Sequence, residues 1–514
     1  MSTGNDLVVQ TKAGKVEGQF RDDLYVFRGV PYAIPPVGPR RWLPPAPVEP
    51  WTGIRPAKAV GNVAPQNQTE PGSPLYYPRR ETQSEDCLYL NVWTPGLDDA
   101  KRPVMFWIHG GGFRDGAGSR PDYKGASLSQ RGDVVVVTIN YRLNAFGFLN
   151  LNEVTKGRIP STGNEGILDQ AAALEWVHDN IAAFGGDPEN VTIFGESAGA
   201  MSVATLLATP KARGLFKRAI MQSGAASSVY SVQEAADVAR QYLEILGIKG
   251  DDVDALRAAS VEQLLAAEKR LSAVVSLALR PVVDGQALPQ APLAAVREGV
   301  AAEIALLMGT NRDEEKLFAL SNPGLDGLDE ARLLKICEET FSPEEAQTAL
   351  DTYRQARAKR GEDITPYEIL MAMGSDQRFR IPAIRLAEAQ RRHQPAVYFY
   401  LFTWPATVMG GKLGSCHAVD IGFVFGTYNE YFCGTGPAAE ALSHKVQDAW
   451  LAFARTGNPS CKSLGAWPAY GEKRETMVLG EQCYVAEAPY EEERRLWETL
   501  ADKISRPVYA DRLP

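Results

Sequence analysis

Residues 190–202 read Asn-Val-Thr-Ile-Phe-Gly-Glu-Ser-Ala-Gly-Ala-Met-Ser, a branched and aromatic run giving way to small residues around one serine, Ser197. The first part suits a strand and the last a closely packed helix. A serine hydroxyl is barely ionised near neutral pH. It becomes a nucleophile only with a base in hydrogen-bond reach and donors for the oxyanion that forms. Gly195 and Gly199 permit a sharp turn that lifts the hydroxyl clear of a sheet, and the following helix aims its first amides at the same place. Such a pattern occurs by chance in glycine-rich loops; the flanking strand and helix give this one its weight.

A second cluster, Trp107 to Phe113 (Trp-Ile-His-Gly-Gly-Gly-Phe), also follows an apolar run. Its consecutive glycines let backbone amides approach a ligand closely. The cluster therefore suits one half of an oxyanion hole, with the Ala198 amide as the other. Neither glycine segment continues as Gly-Lys-Ser/Thr, which disfavours a phosphate cradle.

The base is sought among five histidines. His109 belongs to the glycine loop and is read as bracing it. His178 and His444 fall on predicted helices, and His393 in a charged, solvated stretch. Elimination leaves His417, late in the chain, where a serine–acid–histidine order places it. The acid stays open on these grounds: Asp313, Glu314 and Glu315 follow a predicted strand, and Asp284 and Asp420 are rivals.

Positioning these groups requires a rigid sheet. Near-continuous apolar runs at 102–108, 133–139, 190–194, 216–221, 303–309 and 396–402 suit strands covered on both faces. Helical stretches between them point to an α/β fold, a large mostly parallel sheet with helices on both faces. Ile167, Ala171, Leu174, Ile181 and Phe184 mark one helix, stopped by Gly185-Gly186; Leu442, Val446, Trp450 and Phe453 mark another, ended by Gly457. Residues 34–50, proline-rich but carrying Trp42 and Leu43, read as extended chain laid on a surface.

The chain has 514 residues, 45% hydrophobic and 23% charged, an ordinary globular mixture. A net charge of -9 argues against a nucleic-acid partner. The N-terminus, Met-Ser-Thr-Gly-Asn-Asp, lacks the basic and apolar regions of a secretory signal, and no run has the length of a membrane span. Six scattered cysteines show no metal-site spacing and are expected to be reduced thiols in a cytoplasmic protein.

Taken together, the motifs resemble the type-B carboxylesterases, the cholinesterase-like branch of the α/β-hydrolases, and within it the bacterial p-nitrobenzyl-esterase-like members. The resemblance spans nearly the whole chain. It includes Phe27 to Trp42 (FRGVPYAIPPVGPRRW), Ser84 to Pro95 (SEDCLYLNVWTP), the two glycine segments, Met221 to Ala225 (MQSGA), Gly309 to Glu314 (GTNRDE) and Cys416 to Gly426 (CHAVDIGFVFG). It implies a triad of Ser197, Glu314 and His417, oxyanion donors at Gly111, Gly112 and Ala198, and supporting roles for Glu196 and Ser223. Ser223 would serve the acid's hydrogen-bond network. It also implies one domain over 1–514, with cap-like insertions at 225–280 and 315–395 above the active site.

Two departures stand out. Cys87 has no cysteine before it, so the disulfide of secreted animal members cannot form; and Asp420 stands where glutamate is more usual. The expected activity is hydrolysis of carboxylic esters through an acyl-enzyme, with no metal or organic cofactor and a small-molecule ester as the partner. Apolar stretches in the insertions favour uncharged esters of medium size, with Phe113, Trp404 and Phe425 as candidate wall residues. Carbamates, amides and synthetic diesters would serve the same chemistry, and a non-catalytic cholinesterase-like binding protein is the rival from another class. The sequence does not set the oligomeric state.

Overall fold

In the computed structural model, which describes residues 7–68, 81–275 and 277–500, the long apolar runs come together in one eleven-stranded sheet. The strands are β1 (Gln19–Arg21), β2 (Leu24–Pro31), β3 (Tyr89–Thr94), β4 (Arg102–Ile108), β5 (Val135–Ile139) and β6 (Gly186–Glu196). They continue as β7 (Arg218–Gln222), β8 (Ala305–Asn311), β9 (Val397–Phe402), β10 (Glu475–Leu479) and β11 (Tyr484–Glu487). The order across the sheet is β11-β10-β9-β8-β7-β6-β4-β5-β3-β2-β1. The centre, from β10 to β5, is parallel; β11 at one end and β3, β2 and β1 at the other pair antiparallel.

Both faces are covered, which is why the central strands read as unbroken apolar runs. In β4 all seven residues are buried. Val104, Phe106 and Ile108 enter one core, and Met105 and Trp107 the other, as the two-residue period of a strand demands. Helix α1 (Glu165–Asn180) packs Ile167, Ala171 and Leu174 into the first core; helix α5 (Pro437–Thr456) packs Leu442, Val446, Trp450 and Phe453 into the second. Burying one such side chain is worth about 1.5–3 kcal/mol. Gly457 closes α5 at φ 80°, a left-handed cap that suits glycine. Beyond α1 a short 3-10 turn (Ile181–Phe184) intervenes before Gly185, also left-handed, stops the chain.

The segments expected as insertions are helical. Residues 225–280 contain α3 (Val232–Leu246) and α4 (Val261–Ser272), each opened by a serine capping box. Residues 315–395 contain further helices, including Pro366–Ser375 and Ile381–Gln390 joined by a π-helical turn at Asp376–Arg380. The expectation drawn from Met1 to Asp6 lies outside the described residues, as does Ser276 in the apolar run at 271–279. Among the described residues no helix is long and apolar enough to cross a membrane, and all six cysteines are free thiols.

Candidate active site

The candidate residues leave the sheet at one edge. β4 ends one residue before His109, β6 ends at Glu196, β7 at Gln222, and β8 three residues before Glu314. These are carboxyl ends of parallel strands, where open α/β sheets gather their sites.

Ser197 forms the join between β6 and helix α2 (Ala198–Leu207), with φ 55° and ψ -125°. A non-glycine residue held there stores roughly 1–3 kcal/mol of strain. The surroundings impose it. The Ser197 amide donates to the Gln222 carbonyl at 2.9 Å, and the Ser197 carbonyl accepts from the Met201 amide at 2.9 Å. The flanking glycines answer to space: a Cβ on Gly199 would lie 2.1 Å from the Ile108 carbonyl oxygen, and one on Gly195 would lie 2.6 Å from the Gly199 carbonyl carbon. Both obstacles are backbone.

The glycine loop lies alongside. A Cβ on Gly110 would lie 3.0 Å from the Ser197 Cβ. Gly111, Gly112 and Phe113 all have positive φ, at 108°, 61° and 59°. The loop is braced from behind. The Tyr141 hydroxyl donates to the His109 carbonyl at 2.7 Å, the Asn144 amide donates to the Phe113 carbonyl at 2.7 Å, and the His109 ring stacks on Tyr141. Among the described residues, the amides of Gly111, Gly112 and Ala198 donate no hydrogen bond. Three backbone donors are thus left without an acceptor among the described residues.

Glu314 and His417 meet across 103 residues of chain. His417 Nδ1 stands 2.6 Å from Glu314 Oε2, and the Asn311 amide donates to Glu314 Oε1 at 2.7 Å. The two loops are stitched together: the Asp313 amide donates to the Ser415 carbonyl at 2.9 Å, the Ser415 amide to Asp313 Oδ2 at 2.8 Å, and Asn311 Nδ2 to the Cys416 carbonyl at 2.8 Å. The other acids do different work. Asp284 caps a turn through the amides of Gln286 and Leu288, Glu315 pairs with Arg378 at 2.7 Å, and Asp420 accepts from Gln222 Nε2 at 2.9 Å and the Tyr400 hydroxyl at 3.0 Å.

Glu196 brings a second carboxylate. Its Oε1 lies 3.0 Å from His417 Nε2 without forming a hydrogen bond, so the two groups act on each other electrostatically. Burial alone would lower the His417 pKa, but Glu196 and Glu314 outweigh it and raise it to about 9. Burial raises Glu196 to about 8; His417 opposes this, while Asp420 and Glu314 add to it. Ser223, at φ 51°, has a buried hydroxyl with no hydrogen-bond partner among the described residues, so the link to the acid implied by resemblance is absent in this structure.

Two of the three wall candidates named by sequence, Phe113 and Phe425, are fully enclosed. Phe113 is enclosed against Phe148, Phe425 is enclosed among Trp107, Tyr123 and Phe194, and the Trp404 indole donates to the Cys433 carbonyl at 2.8 Å and packs on Phe423. Phe113 and Phe425 therefore present no exposed surface. Phe318 and Phe379 instead flank His417, each with its ring centre 4.9 Å from the imidazole. Leu277 borders the glycine loop, its Cδ1 3.5 Å from the place a Cβ on Gly112 would take. Helical periodicity could not single these out. Phe379 sits in the π-helical turn, a local irregularity that often accompanies function.

A doubly covered sheet of this order, with a strained serine between strand and helix at its carboxyl edge, defines an α/β-hydrolase. The chain belongs to the carboxylesterase family, whose sequence profile matches residues 5–497. It is 41% identical over 503 residues to the para-nitrobenzyl esterase of Bacillus subtilis (strain 168), covering 95% of this chain and 98% of that protein. It is 34% identical over 492 residues to the phenmedipham hydrolase of Pseudarthrobacter oxydans, covering 92% and 95%. A crystal structure of a Geobacillus stearothermophilus carboxylesterase superposes with a TM-score of 0.85 at 40% identity, covering 96% of this chain and 100% of that one. The chain is accordingly a carboxylic ester hydrolase, and a serine mechanism is general to its family.

Proposed function

We propose that Ser197 is the nucleophile, His417 its base and Glu314 the acid that orients the imidazole. The observation carrying this reading is the 2.6 Å contact between His417 and Glu314, with His417 Nε2 3.0 Å from Glu196, the residue next to the strained Ser197. His417 takes the Ser197 proton as the hydroxyl attacks the ester carbonyl. The oxyanion settles against the amides of Gly111, Gly112 and Ala198. His417 returns the proton to the leaving alcohol, and water repeats the sequence on the acyl-enzyme. Glu314 stabilises the imidazolium formed at each proton transfer. Glu196 supports the ring from its other side, and Ser223 packs beside the acid's strand, its amide donating to the Gly309 carbonyl at 2.9 Å.

The protein works as one domain in the cytoplasm, with the helical segments at 225–280 and 315–395 covering the site. Leu277, Phe318 and Phe379 give the pocket an apolar lining around the catalytic groups, which suits uncharged groups of medium size next to the scissile bond. A panel of chromogenic esters graded in acyl length tests this. kcat/KM is expected to peak at intermediate length and to move to longer acyl chains in Leu277→Ala. A profile that is flat and indifferent to Leu277 would contradict it.

A further inference from the structure

We propose that Arg114 recognises an ionised carboxylate on the substrate, away from the scissile bond, so that esters with an acidic end are hydrolysed in preference to neutral esters of the same shape. The proposal rests on the reading of Ser197 as nucleophile and Gly112 as oxyanion donor, and deepens it by naming a substrate class.

Arg114 directly follows the glycine loop and is tied into it: its amide donates to the Gly111 carbonyl at 3.0 Å, and its carbonyl accepts from Asn144 Nδ2 at 3.4 Å. A Cβ on Gly112 would lie 3.7 Å from Arg114 Nε, close to where it would meet Leu277. These two side chains, one apolar and one cationic, border the same oxyanion glycine. The Arg114 side chain is half-buried, yet it makes no hydrogen bond or ion pair among the described residues, not even with its neighbour Asp115. Nearby arginines behave otherwise: Arg120 pairs with Asp122 at 2.9 Å, Arg378 with Glu315 at 2.7 Å, and Arg142 with Asp169 at 2.7 Å.

A guanidinium partly withdrawn from water and lacking a counter-charge among the described residues carries a desolvation cost that they do not offset. A substrate carboxylate offsets it, and the planar donor fork matches that group in two-point contact. The wall behind Leu277 is also cationic. Arg280 Nε donates to the Leu277 carbonyl at 2.9 Å and its guanidinium sits 4.2 Å from the Tyr230 ring centre; burial, and to a lesser degree Arg378, lower its pKa. The chain as a whole carries a net charge of -9, which repels anions at long range. The attraction is therefore local, and it weakens with salt.

Either half of the ester can carry the acid, and two substrate pairs separate the cases. On the acyl side, para-nitrophenyl hemisuccinate is compared with para-nitrophenyl isocaproate. On the alcohol side, para-acetoxybenzoate is compared with para-acetoxybenzamide. The quantity read is the acidic-to-neutral ratio of kcat/KM. In Arg114→Gln the ratio is expected to fall about tenfold for one pair, the lower end for a charge-assisted hydrogen bond. Arg114→Lys should retain part of the preference, and added NaCl should narrow the wild-type ratio. The pair that responds identifies the half that carries the acid. If Arg114→Gln lowers acidic and neutral rates alike, or leaves both ratios unchanged, the proposal is overturned while the esterase reading stands. A wild-type protein that turns over no ester overturns both.

Discussion

His417 Nδ1 stands 2.6 Å from Glu314 Oε2, and both side chains are shut away from solvent. The same imidazole meets Glu196 across its other nitrogen, so one ring is held between two carboxylates. Glu196 is the residue immediately before Ser197, and the bracketing therefore ties the histidine loop to the strained turn. It also sets the proton affinity of the base, since both carboxylates favour the charged ring.

The first consequence is a shifted pH response. His417 acts as a base only when neutral, and its pKa is raised from 6.5 to about 9. As pH falls below the raised value the ring becomes protonated and the rate drops. The acid limb of kcat/KM is expected above the ordinary histidine range, and Glu196→Gln, which removes one carboxylate that raises His417, should move it to lower pH. A wild-type limb at or below 6.5 that Glu196→Gln leaves in place would contradict the bracketing.

Replacing the acid should act on kcat. In Glu314→Gln the side chain can no longer hold the imidazolium by charge, and an amide can enforce the wrong ring tautomer. A loss of about 100-fold to 10,000-fold in kcat with modest change in KM is expected. Steady-state rates near wild type would show that another carboxylate serves.

The glycines of the turn are set by backbone neighbours. A Cβ at Gly199 would meet the Ile108 carbonyl oxygen at 2.1 Å, and neither atom sits on a flexible side chain. Gly199→Ala should destabilise the protein by about 1–3 kcal/mol or more and impair turnover, because relief requires moving α2 off β4. Thermal unfolding and initial rates on the same sample test this together; unchanged values of both would refute it.

Farther from the site, Arg142 is joined to Asp169 by three hydrogen bonds, Nε to Oδ2 at 2.8 Å, Nη2 to Oδ1 at 2.7 Å and the backbone amide to Oδ2 at 3.0 Å, with both residues buried. Asp169→Ala strands the cation, and a loss of about 3–5 kcal/mol is expected from the denaturation midpoint. A cost below about 1 kcal/mol would mean that the pair is matched by water after mutation.

The sheet was largely legible because the central strands are buried on both faces. The run at 102–108 coincides with β4, and the run at 396–402 with β9 (Val397–Phe402) to within one residue. Other limits escaped. β6 starts at Gly186 rather than near Asn190, because its polar opening pairs with β4 through an irregular register that leaves no hydrophobic trace. Strands β1, β10 and β11 are short and lie at or near the sheet's ends, with little periodic signal of their own. At the site, the serine and glycine segments are local motifs and could be read from adjacent residues. The approach of Glu196 to His417, and of Phe318, Phe379 and Leu277 to the catalytic groups, depends on tertiary packing between distant segments. The aromatic residues Phe113 and Phe425 were near the right motifs, but the core claimed them.

The most direct test of the account is labelling with a fluorophosphonate probe, followed by mapping of the modified peptide. The account predicts a single adduct on Ser197, abolished in Ser197→Ala and strongly slowed in His417→Ala, with both variants folded. Stoichiometric labelling that persists in Ser197→Ala, or that proceeds at the wild-type rate in His417→Ala, would contradict it.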